Sequence, residues 1–406
     1  MSSTRPTVVR LLSLSALTTA LFVGALAWGS AALMLAVATT PGGRFTALAV
    51  VLGVPALCAV PFAWGLRQRR EPALAGLGVL LSLGGLALGY AMHIAPEASA
   101  DPDAALRSIY LGDGAHLRHG LANIVPEVDQ FTFGSYLMGP IDPYLDPGQT
   151  QRVRDLFQGI YGELAQDPDF AGMGSAMGWS YRELFGRRWD VGHIYVYEPP
   201  HSSDEPLPVL VFLHGWGGPF LGYQWVFERF ADEHGYAVVA PSFGMGWWRQ
   251  DGAMEAVEQA IGWIDQQPEL DGEHMILAGL SNGGPGVQGA ALAFPERWDG
   301  VVFLSAVLEL DRIFGLGESL AEHGTPVLVI TGDAERRIPL EYTQAGVESL
   351  RMVGAETSFE VYPGEDHFLL FSQPSAVMER LGRWAQSELG PGDRRAGTRP
   401  PPEPGS

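Results

Sequence analysis

The sequence contains no lysine and a single cysteine, Cys58. One cysteine excludes a disulfide framework and a thiolate metal site, and its apolar surroundings exclude a cysteine nucleophile in the polar part of the chain. Charged residues are also scarce, at 17% of the chain, whereas hydrophobic residues make up 47%, which is enough for a buried core. The sequence lacks a His-x-x-x-His pair, a phosphate loop and a dinucleotide fingerprint, so we infer no metal and no cofactor.

Acidic residues outnumber basic residues after the first quarter of the chain. Residues 1–92 hold six arginines and one acid, Glu71, whereas the remainder holds 45 acidic residues against 19 arginines. A surface with this excess of negative charge repels phosphates. We therefore expect no nucleic-acid partner.

Three stretches near the N-terminus lack charge over about the length that crosses a bilayer, at residues 11–40, 45–66 and 72–92. A single such stretch could be a buried core helix. Three in succession, separated only by short loops, leave no polar face for a soluble bundle. Residues 1–92 are therefore predicted to form a membrane region with three transmembrane helices.

Arginine placement predicts the orientation of these spans. Arg5 and Arg10 precede the first span and Arg67, Arg69 and Arg70 follow the second, whereas the first loop has Arg44 alone. The positive-inside rule then places the N-terminus in the cytoplasm and everything after residue 92 outside it. A cleaved signal peptide remains an alternative for the first span, and it would leave the C-terminal part on the same side. The expected location is the cell membrane, multi-pass, with an extracytoplasmic polar domain.

Residues 93–185 are predicted to be a linker and a helical segment of unknown role. They begin with an acidic Pro/Ala stretch at 96–103 and include an amphipathic, helix-like run at 152–165. No chemical motif is recognisable in this part. After residue 389 the tail, 390–406, is rich in proline and is predicted to be disordered.

Residues 186–389 alternate short apolar runs with helical patterns, which predicts a mainly parallel sheet covered by helices. The predicted strands are 193–197, 208–213, 237–241, 275–280, 300–305, 326–331 and 358–362. The predicted helices between them include 221–234, 253–266, 287–294 and 340–353.

One predicted strand runs directly into Gly279-Leu280-Ser281-Asn282-Gly283 and is followed by a predicted helix. A serine on a sharp strand-to-helix turn has strained backbone angles, and glycine two residues to either side removes the collision of side chains with the neighbouring elements. The pentapeptide alone is weak evidence for a nucleophile. Its place in the alternating pattern makes Ser281 the candidate.

A second motif lies some 65 residues upstream, where an apolar strand leads into His214-Gly-Trp-Gly-Gly218. Together the two motifs resemble the α/β-hydrolase superfamily, and in particular its carboxylesterase-like members. The resemblance covers about residues 185–390 and implies an α/β-hydrolase fold. It also implies that the backbone N–H groups of Trp216 and Asn282 form an oxyanion hole, with His214 in a structural role.

A nucleophilic serine requires a base and a residue that orients the base. The resemblance implies an acid at the end of one strand and a histidine after the next, and the chain offers Asp333 after 326–331 and His367 after 358–362. Asp311, after the preceding strand, is the alternative acid. The predicted triad is Ser281, Asp333 and His367.

Only about 20 residues separate Ser305 from Pro326, which is room for a helix but not for a cap domain. The cleft is therefore predicted to be open. Its substrate-binding residues are predicted to be Trp247, Trp248 and Phe220, although aromatic residues of this kind also serve as ordinary packing.

The expected function is a membrane-anchored serine hydrolase that cleaves a small-molecule carboxylic ester through an acyl-enzyme on Ser281. Three alternatives remain open: a serine peptidase, an acyltransferase with the same triad, and a hydrolase-fold protein that only binds. The sequence predicts neither the oligomeric state nor the identity of the substrate.

Overall fold

The fold is described from a computed structural model, which covers residues 4–66, 68–96, 104–111, 121–184, 192–200 and 205–390. These residues divide into two compact units. We call residues 4–96 and 121–158 the helical unit, and residues 104–111 and 159–390 the sheet unit. Most of the acidic stretch 96–103 and the tail 391–406, two of the predicted segments, lie outside the described residues.

The helical unit begins with three long helices, α1 (Thr4–Val37), α2 (Pro41–Gly65) and α3 (Arg70–His93). Their bounds agree with the predicted stretches 11–40, 45–66 and 72–92 to within a few residues, apart from the start of α1. Among the described residues, α2 and α3 are long and apolar enough to cross a membrane, whereas α1 contributes only a shorter apolar stretch, Leu21–Val37. By length and composition, two of the three predicted spans therefore qualify as candidates.

Three further helices follow: α4 (Leu121–Ile124), α5 (Glu127–Met138) and α6 (Pro147–Leu164), of which α6 ends in the sheet unit. Helix α6 contains all but the last residue of the amphipathic run predicted at 152–165. The buried carboxylate of Asp129 in α5 accepts hydrogen bonds from the backbone N–H and the hydroxyl groups of Thr39 and Thr40. Because four donors satisfy this carboxylate, it stabilises the turn between α1 and α2.

In the sheet unit, the described residues form one eight-stranded sheet of order β1-β2-β4-β3-β5-β6-β7-β8. The strands are β1 (Leu106–Tyr110), β2 (His193–Tyr197), β3 (Leu207–Leu213), β4 (Ala237–Pro241), β5 (Leu270–Leu280), β6 (Gly300–Leu304), β7 (Val327–Gly332) and β8 (Thr357–Tyr362). Strand β2 pairs antiparallel with β1 and β4, and all other neighbours are parallel. The carboxyl ends of β3 to β8 thus meet at one edge of the sheet.

The helices of the sheet unit are α7 (Pro168–Ala171), α8 (Met177–Leu184), α9 (Leu221–His234), α10 (Ala253–Ile264), α11 (Gly283–Ala293), α12 (Ile313–His323), α13 (Leu340–Met352), α14 (Leu369–Ser372) and α15 (Pro374–Leu389). All seven predicted strands and the four predicted helices are present, with shifts of a few residues at their ends. Strand β1 lies in the stretch for which only a linker and a helical segment were predicted. It pairs with β2 at one edge of the sheet.

The central strands are buried over most of their length, apart from the first part of β5, because apolar side chains cover both faces of the sheet. Val209, Val211, Leu277, Val301 and Val329 belong to one continuous core beneath α10, α11 and α12. This packing on both sides fixes the position of the strand ends and of the loops that follow them.

Candidate active site

Ser281 lies in the turn between β5 and α11 and has a positive φ of 53°, a conformation that L residues rarely adopt. Its backbone N–H donates to the Leu304 carbonyl, and its carbonyl accepts from Gly284 and Val307. These bonds hold the strained residue between β5 and β6. The strain exposes the hydroxyl at the carboxyl edge of the sheet, which is typical of a nucleophile.

The two flanking glycines are required by close packing. A Cβ on Gly279 would lie 2.9 Å from the Gly283 carbonyl carbon, and a Cβ on Gly283 would overlap the Leu213 carbonyl oxygen. The neighbouring atoms belong mainly to backbone, which cannot move aside cheaply. The glycine spacing predicted for this turn is therefore explained by its contacts.

His367 lies in the loop after β8 and brings its ring to Ser281. The distance between His367 Nε2 and Ser281 Oγ is 3.0 Å. On the other side of the ring, Nδ1 lies 2.6 Å from Glu335 Oε2. Because a carboxylate only accepts, the ring donates from Nδ1 and leaves Nε2 to accept the serine proton.

The prediction that Asp333 orients the histidine is wrong, because Glu335 holds that position. Asp333 is exposed, and its Oδ1 accepts the Gly364 N–H at 2.6 Å. Its own N–H donates to Tyr362 and so continues the pairing of β7 with β8 for one residue. Strand β7 ends at Gly332, and Asp333 and Ala334 form the turn that follows it, so that the buried side chain is that of Glu335. The alternative acid, Asp311, is exposed before α12.

The Glu335 carboxylate is fully buried and held by three donors. Besides the His367 ring, the backbone N–H groups of Arg337 and Ile338 donate to Oε1 at 2.7 and 3.2 Å. Burial by itself would raise the pKa of Glu335. The hydrogen bonds and the charge of the histidine outweigh burial and leave the pKa below its ordinary value. The carboxylate is therefore ionised at neutral pH.

The loop after β3 runs beside the nucleophile, since a Cβ on Gly215 would lie 3.3 Å from the Ser281 Cβ. The buried His214 ring holds this loop: Nδ1 donates to Gly215 O at 2.8 Å, and Nε2 accepts the Phe243 N–H at 3.0 Å. Burial lowers the pKa of His214 to about 4, so the ring is neutral near pH 7. These contacts agree with the structural role expected for His214.

Asn282 directly follows Ser281, and Trp216 directly follows Gly215 in the loop that runs beside the nucleophile. Within the described residues, neither of their backbone N–H groups donates a hydrogen bond to another part of the protein. Donors left unpaired beside a nucleophile are what an oxyanion hole requires. The geometry is therefore compatible with the predicted role of these two groups.

Only one of the three predicted substrate-binding aromatic residues is open to solvent. The Trp247 side chain is 43% exposed, as is 55% of Trp216, whereas Phe220 and Trp248 are buried. Phe220 stacks on Tyr223, and Trp248 donates from Nε1 to the His214 carbonyl. Phe220 and Trp248 therefore pack the loops that surround the site and do not line an open cleft.

The segment between β6 and β7 contains one helix, α12, as predicted, rather than a cap domain. Its first part, the loop after Ser305, is fixed against α11 and α13. The amide of Gln288 bonds to both the N–H and the carbonyl of Glu309, and the Tyr342 hydroxyl donates to Leu308 O at 2.5 Å. On this side of the site, the loop is therefore held by hydrogen bonds to two helices.

No protein-family model matches the chain. Among curated proteins, dipeptidyl-peptidase 5 of Porphyromonas gingivalis is 22% identical over 243 residues, covering 47% of this chain and 35% of that protein. Acyl-protein thioesterase 1 of Gibberella zeae is 30% identical over 121 residues, covering 28% and 48% respectively. A probable carboxylesterase of Oryza sativa subsp. japonica is 28% identical over 131 residues, covering 30% and 54%. The chain thus spans a third to about half of the length of these relatives.

Solved structures match about half of this chain. An S-formylglutathione hydrolase from Staphylococcus aureus is 20% identical, with a TM-score of 0.41, over 48% of this chain and 90% of that one. A thermostable esterase is 18% identical, with a TM-score of 0.40, over 48% and 59%. The predicted α/β-hydrolase-like fold agrees with the sheet order, with the turn at Ser281 and with the curated relatives. These relatives also support the predicted class, a serine hydrolase.

Proposed function

We propose that this chain is a carboxylic ester hydrolase in which Ser281 forms an acyl-enzyme, His367 acts as general base and Glu335 orients the histidine. The observation that carries the proposal is the continuous pair of hydrogen bonds from Ser281 Oγ through the His367 ring to the buried Glu335 carboxylate. A serine hydroxyl is too weakly acidic to attack an ester unaided, and this arrangement removes its proton during attack.

Each step follows from this geometry. His367 Nε2 accepts the proton as Ser281 Oγ bonds to the ester carbonyl carbon, and the imidazolium then protonates the departing alkoxide. Water next attacks the acyl-enzyme, with His367 again as base, and releases the acid and free Ser281. Glu335 stays ionised throughout and stabilises the positive ring.

The negative charge that develops on the carbonyl oxygen of the ester requires hydrogen-bond donors, and we assign this role to the N–H groups of Trp216 and Asn282. Asn282 is the residue after the nucleophile, and Trp216 is the residue after Gly215, which faces Ser281 so closely that a Cβ there would lie 3.3 Å from the Ser281 Cβ. Loss of one such donor costs about 10²- to 10³-fold in kcat in comparable sites.

For the substrate, we propose neutral esters with a short or aromatic acyl group. The exposed indoles of Trp216 and Trp247 offer apolar surface near Ser281, and the strongly acidic chain disfavours anionic substrates. A comparison of kcat/KM for aryl acetates, aryl palmitates and peptide amides tests this preference. Faster turnover of the palmitate or of the amide would contradict it.

A peptidase is the second candidate, because the relatives include a dipeptidyl-peptidase matched over nearly half of this chain. The same triad serves ester and amide cleavage, so the peptide amides in the comparison above separate the two. Acyl transfer would appear as product formation that depends on an added alcohol or amine acceptor.

We also propose that α1, α2 and α3 anchor the enzyme in the cell membrane, with the sheet unit on the extracytoplasmic side. Helices α2 and α3 meet the length and composition of a span, and arginines concentrate beside the connection between them. The partners of the protein are then the lipid bilayer and a small-molecule ester.

The direct test of the catalytic proposal is hydrolysis of an aryl acetate by the full chain in detergent. Ser281→Ala and His367→Ala should each reduce kcat by on the order of 10³-fold or more. Retention of more than a tenth of the activity by Ser281→Ala would place the chemistry at another residue.

A further inference from the structure

Helix α8 belongs to the stretch 93–185, which carried no recognisable motif, yet it packs against the loops that flank the nucleophile. We propose that Ser180 in α8 is a positioning residue for catalysis, which holds the loop carrying Trp216 in the shape that an oxyanion hole needs. This inference rests on the hydrolase activity proposed above and deepens it.

Ser180 is fully buried and makes contact with two different loops. Its hydroxyl donates to the Gly244 carbonyl at 2.6 Å, in the loop after β4. On another side it lies against Gly218, where a Cβ would overlap Ser180 Oγ and come within 3.0 Å of Met177 Sδ. Gly218 has a φ of 109°, so only glycine is unstrained there.

The loop after β3 and the loop after β4 are also bonded to each other next to Trp216. The Gly217 N–H donates to the Met245 carbonyl at 3.0 Å. A Cβ on Gly246 would overlap the Gly215 carbonyl oxygen and lie 3.3 Å from the Trp216 nitrogen. The peptide unit that presents the Trp216 N–H is therefore in contact with the 244–246 turn, and Ser180 is bonded to the first residue of that turn.

The N-terminal end of α8 is hydrogen-bonded to the sheet. The Ala176 N–H, just before the helix, donates to the buried Tyr195 hydroxyl of β2 at 2.8 Å. Met177, the first residue of α8, is buried as well. Strand β2 thus fixes the start of α8, and Ser180 in α8 in turn holds the loop beside the nucleophile.

Removal of the Ser180 hydroxyl leaves the Gly244 carbonyl without this buried donor and removes one of the bonds that hold the 244–246 turn beside Trp216. A shift of about 1 Å at a positioning contact can cost on the order of 10²-fold in rate. Because the oxyanion hole acts in the transition state and not in substrate binding, the loss should appear in kcat and spare KM.

The test compares Ser180→Ala with Ser175→Ala in the full chain. Ser175 is the matched control, since it lies five residues before Ser180 and its hydroxyl accepts the Met177 N–H at the start of the same helix. For each protein, kcat and KM for an aryl acetate, the rate constant of fluorophosphonate labelling and Tm are measured. Active-site titration counts only folded, reactive molecules, so partial unfolding does not distort kcat.

We expect Ser180→Ala to lower kcat and the labelling rate constant about 10-fold or more, with KM within about twofold, while Ser175→Ala leaves both rates within about twofold. A kcat for Ser180→Ala within twofold of the control, or an effect on KM alone, would overturn the positioning role. Absence of labelling in the unmodified chain would instead refute the proposed function itself.

Discussion

At the residue scale, Glu335 and Asp333 are two positions apart, yet their surroundings differ. The Glu335 carboxylate is buried and bonded to His367, whereas the exposed Asp333 bonds to the backbone of Gly364. An acceptor on Nδ1 fixes the tautomer in which Nε2 can take the serine proton, and Glu335 supplies that acceptor. The contributions of the two acids to activity can therefore be separated by substituting each one.

Glu335→Gln should retain the fold and lose about 10³-fold or more in kcat, because an amide at this position favours the wrong tautomer of His367. Asp333→Asn is the matched control and should stay within about threefold of the unmodified protein, since its bond to Gly364 can be kept by the amide oxygen. For both variants, kcat for an aryl acetate and Tm are measured. The reverse order of effects would restore Asp333 as the orienting acid.

Glu335 also predicts how stability depends on pH. Its pKa in the folded protein lies below the ordinary value of 4.5, so between these two values the unfolded chain binds the proton more readily. The contribution to stability is present above pH 4.5 and is lost as the pH falls through the folded pKa. On acidification below pH 4.5, Tm should therefore fall more steeply for the unmodified chain than for Glu335→Gln, in the same detergent. Parallel curves would contradict this.

The sequence predicted Ser281 from its glycine-flanked turn and His367 from the resemblance to the α/β-hydrolase superfamily, and the two side chains are neighbours in the structure. The choice of acid required more. Asp333 lies in the turn after β7, where its N–H still bonds to β8, and Glu335 is the buried carboxylate beyond that turn. Similarly, the sequence could not show that Trp248 and Phe220 are buried, because exposure depends on partners such as His214 and Tyr223.

At the scale of elements, the turn between β5 and α11 depends on the absence of side chains. Gly283→Ala would place a Cβ against the backbone of Leu213. Overpacking of this kind costs about 1–3 kcal/mol, which for a chain of this size lowers Tm by several degrees. We expect that loss of Tm, accompanied by reduced activity as Ser281 shifts.

Gly262→Ala provides the control for this change. Gly262 lies within α10, and a Cβ there meets no atom within 4 Å. Because alanine is a better helix former than glycine, the Tm of Gly262→Ala should equal or slightly exceed that of the unmodified chain. Equal Tm values for the two variants would show that the turn tolerates a side chain.

The strands of the sheet unit were predictable because parallel strands buried on both faces appear as continuous apolar runs. Strand β1 was not, since its sequence, Leu-Arg-Ser-Ile-Tyr, mixes polar and apolar residues. It lies at an edge, pairs only with β2, and includes an arginine that bonds to Glu198. Edge strands of this kind carry a weak pattern, so their pairing emerges only from the folded sheet.

At the scale of the whole molecule, the chain combines a helical unit that carries two candidate spans with a sheet unit that carries the catalytic residues. Hydrophobic runs predicted the three long helices well, but composition alone does not establish that each one crosses a membrane. Reporter fusions address this directly. A reporter active only outside the cytoplasm should be active after Ser387 and inactive after Arg69, between α2 and α3.

A fusion that is active after Arg69 and inactive after Ser387 would reverse the proposed orientation. Equal activity at both sites would show that α3 does not cross the membrane. Protease access to an N-terminal tag in sealed vesicles completes the test, because a third span places that tag on the side opposite Ser387.

The measurement that bears most directly on the central claim is the location of a fluorophosphonate adduct by mass spectrometry of the full chain. The account predicts one adduct per molecule, on the peptide that contains Ser281, and its loss in Ser281→Ala. Labelling should also slow strongly in His367→Ala and Glu335→Gln, since both variants remove the activation of Ser281. An adduct on a different residue, or undiminished labelling of Ser281→Ala, would contradict the account.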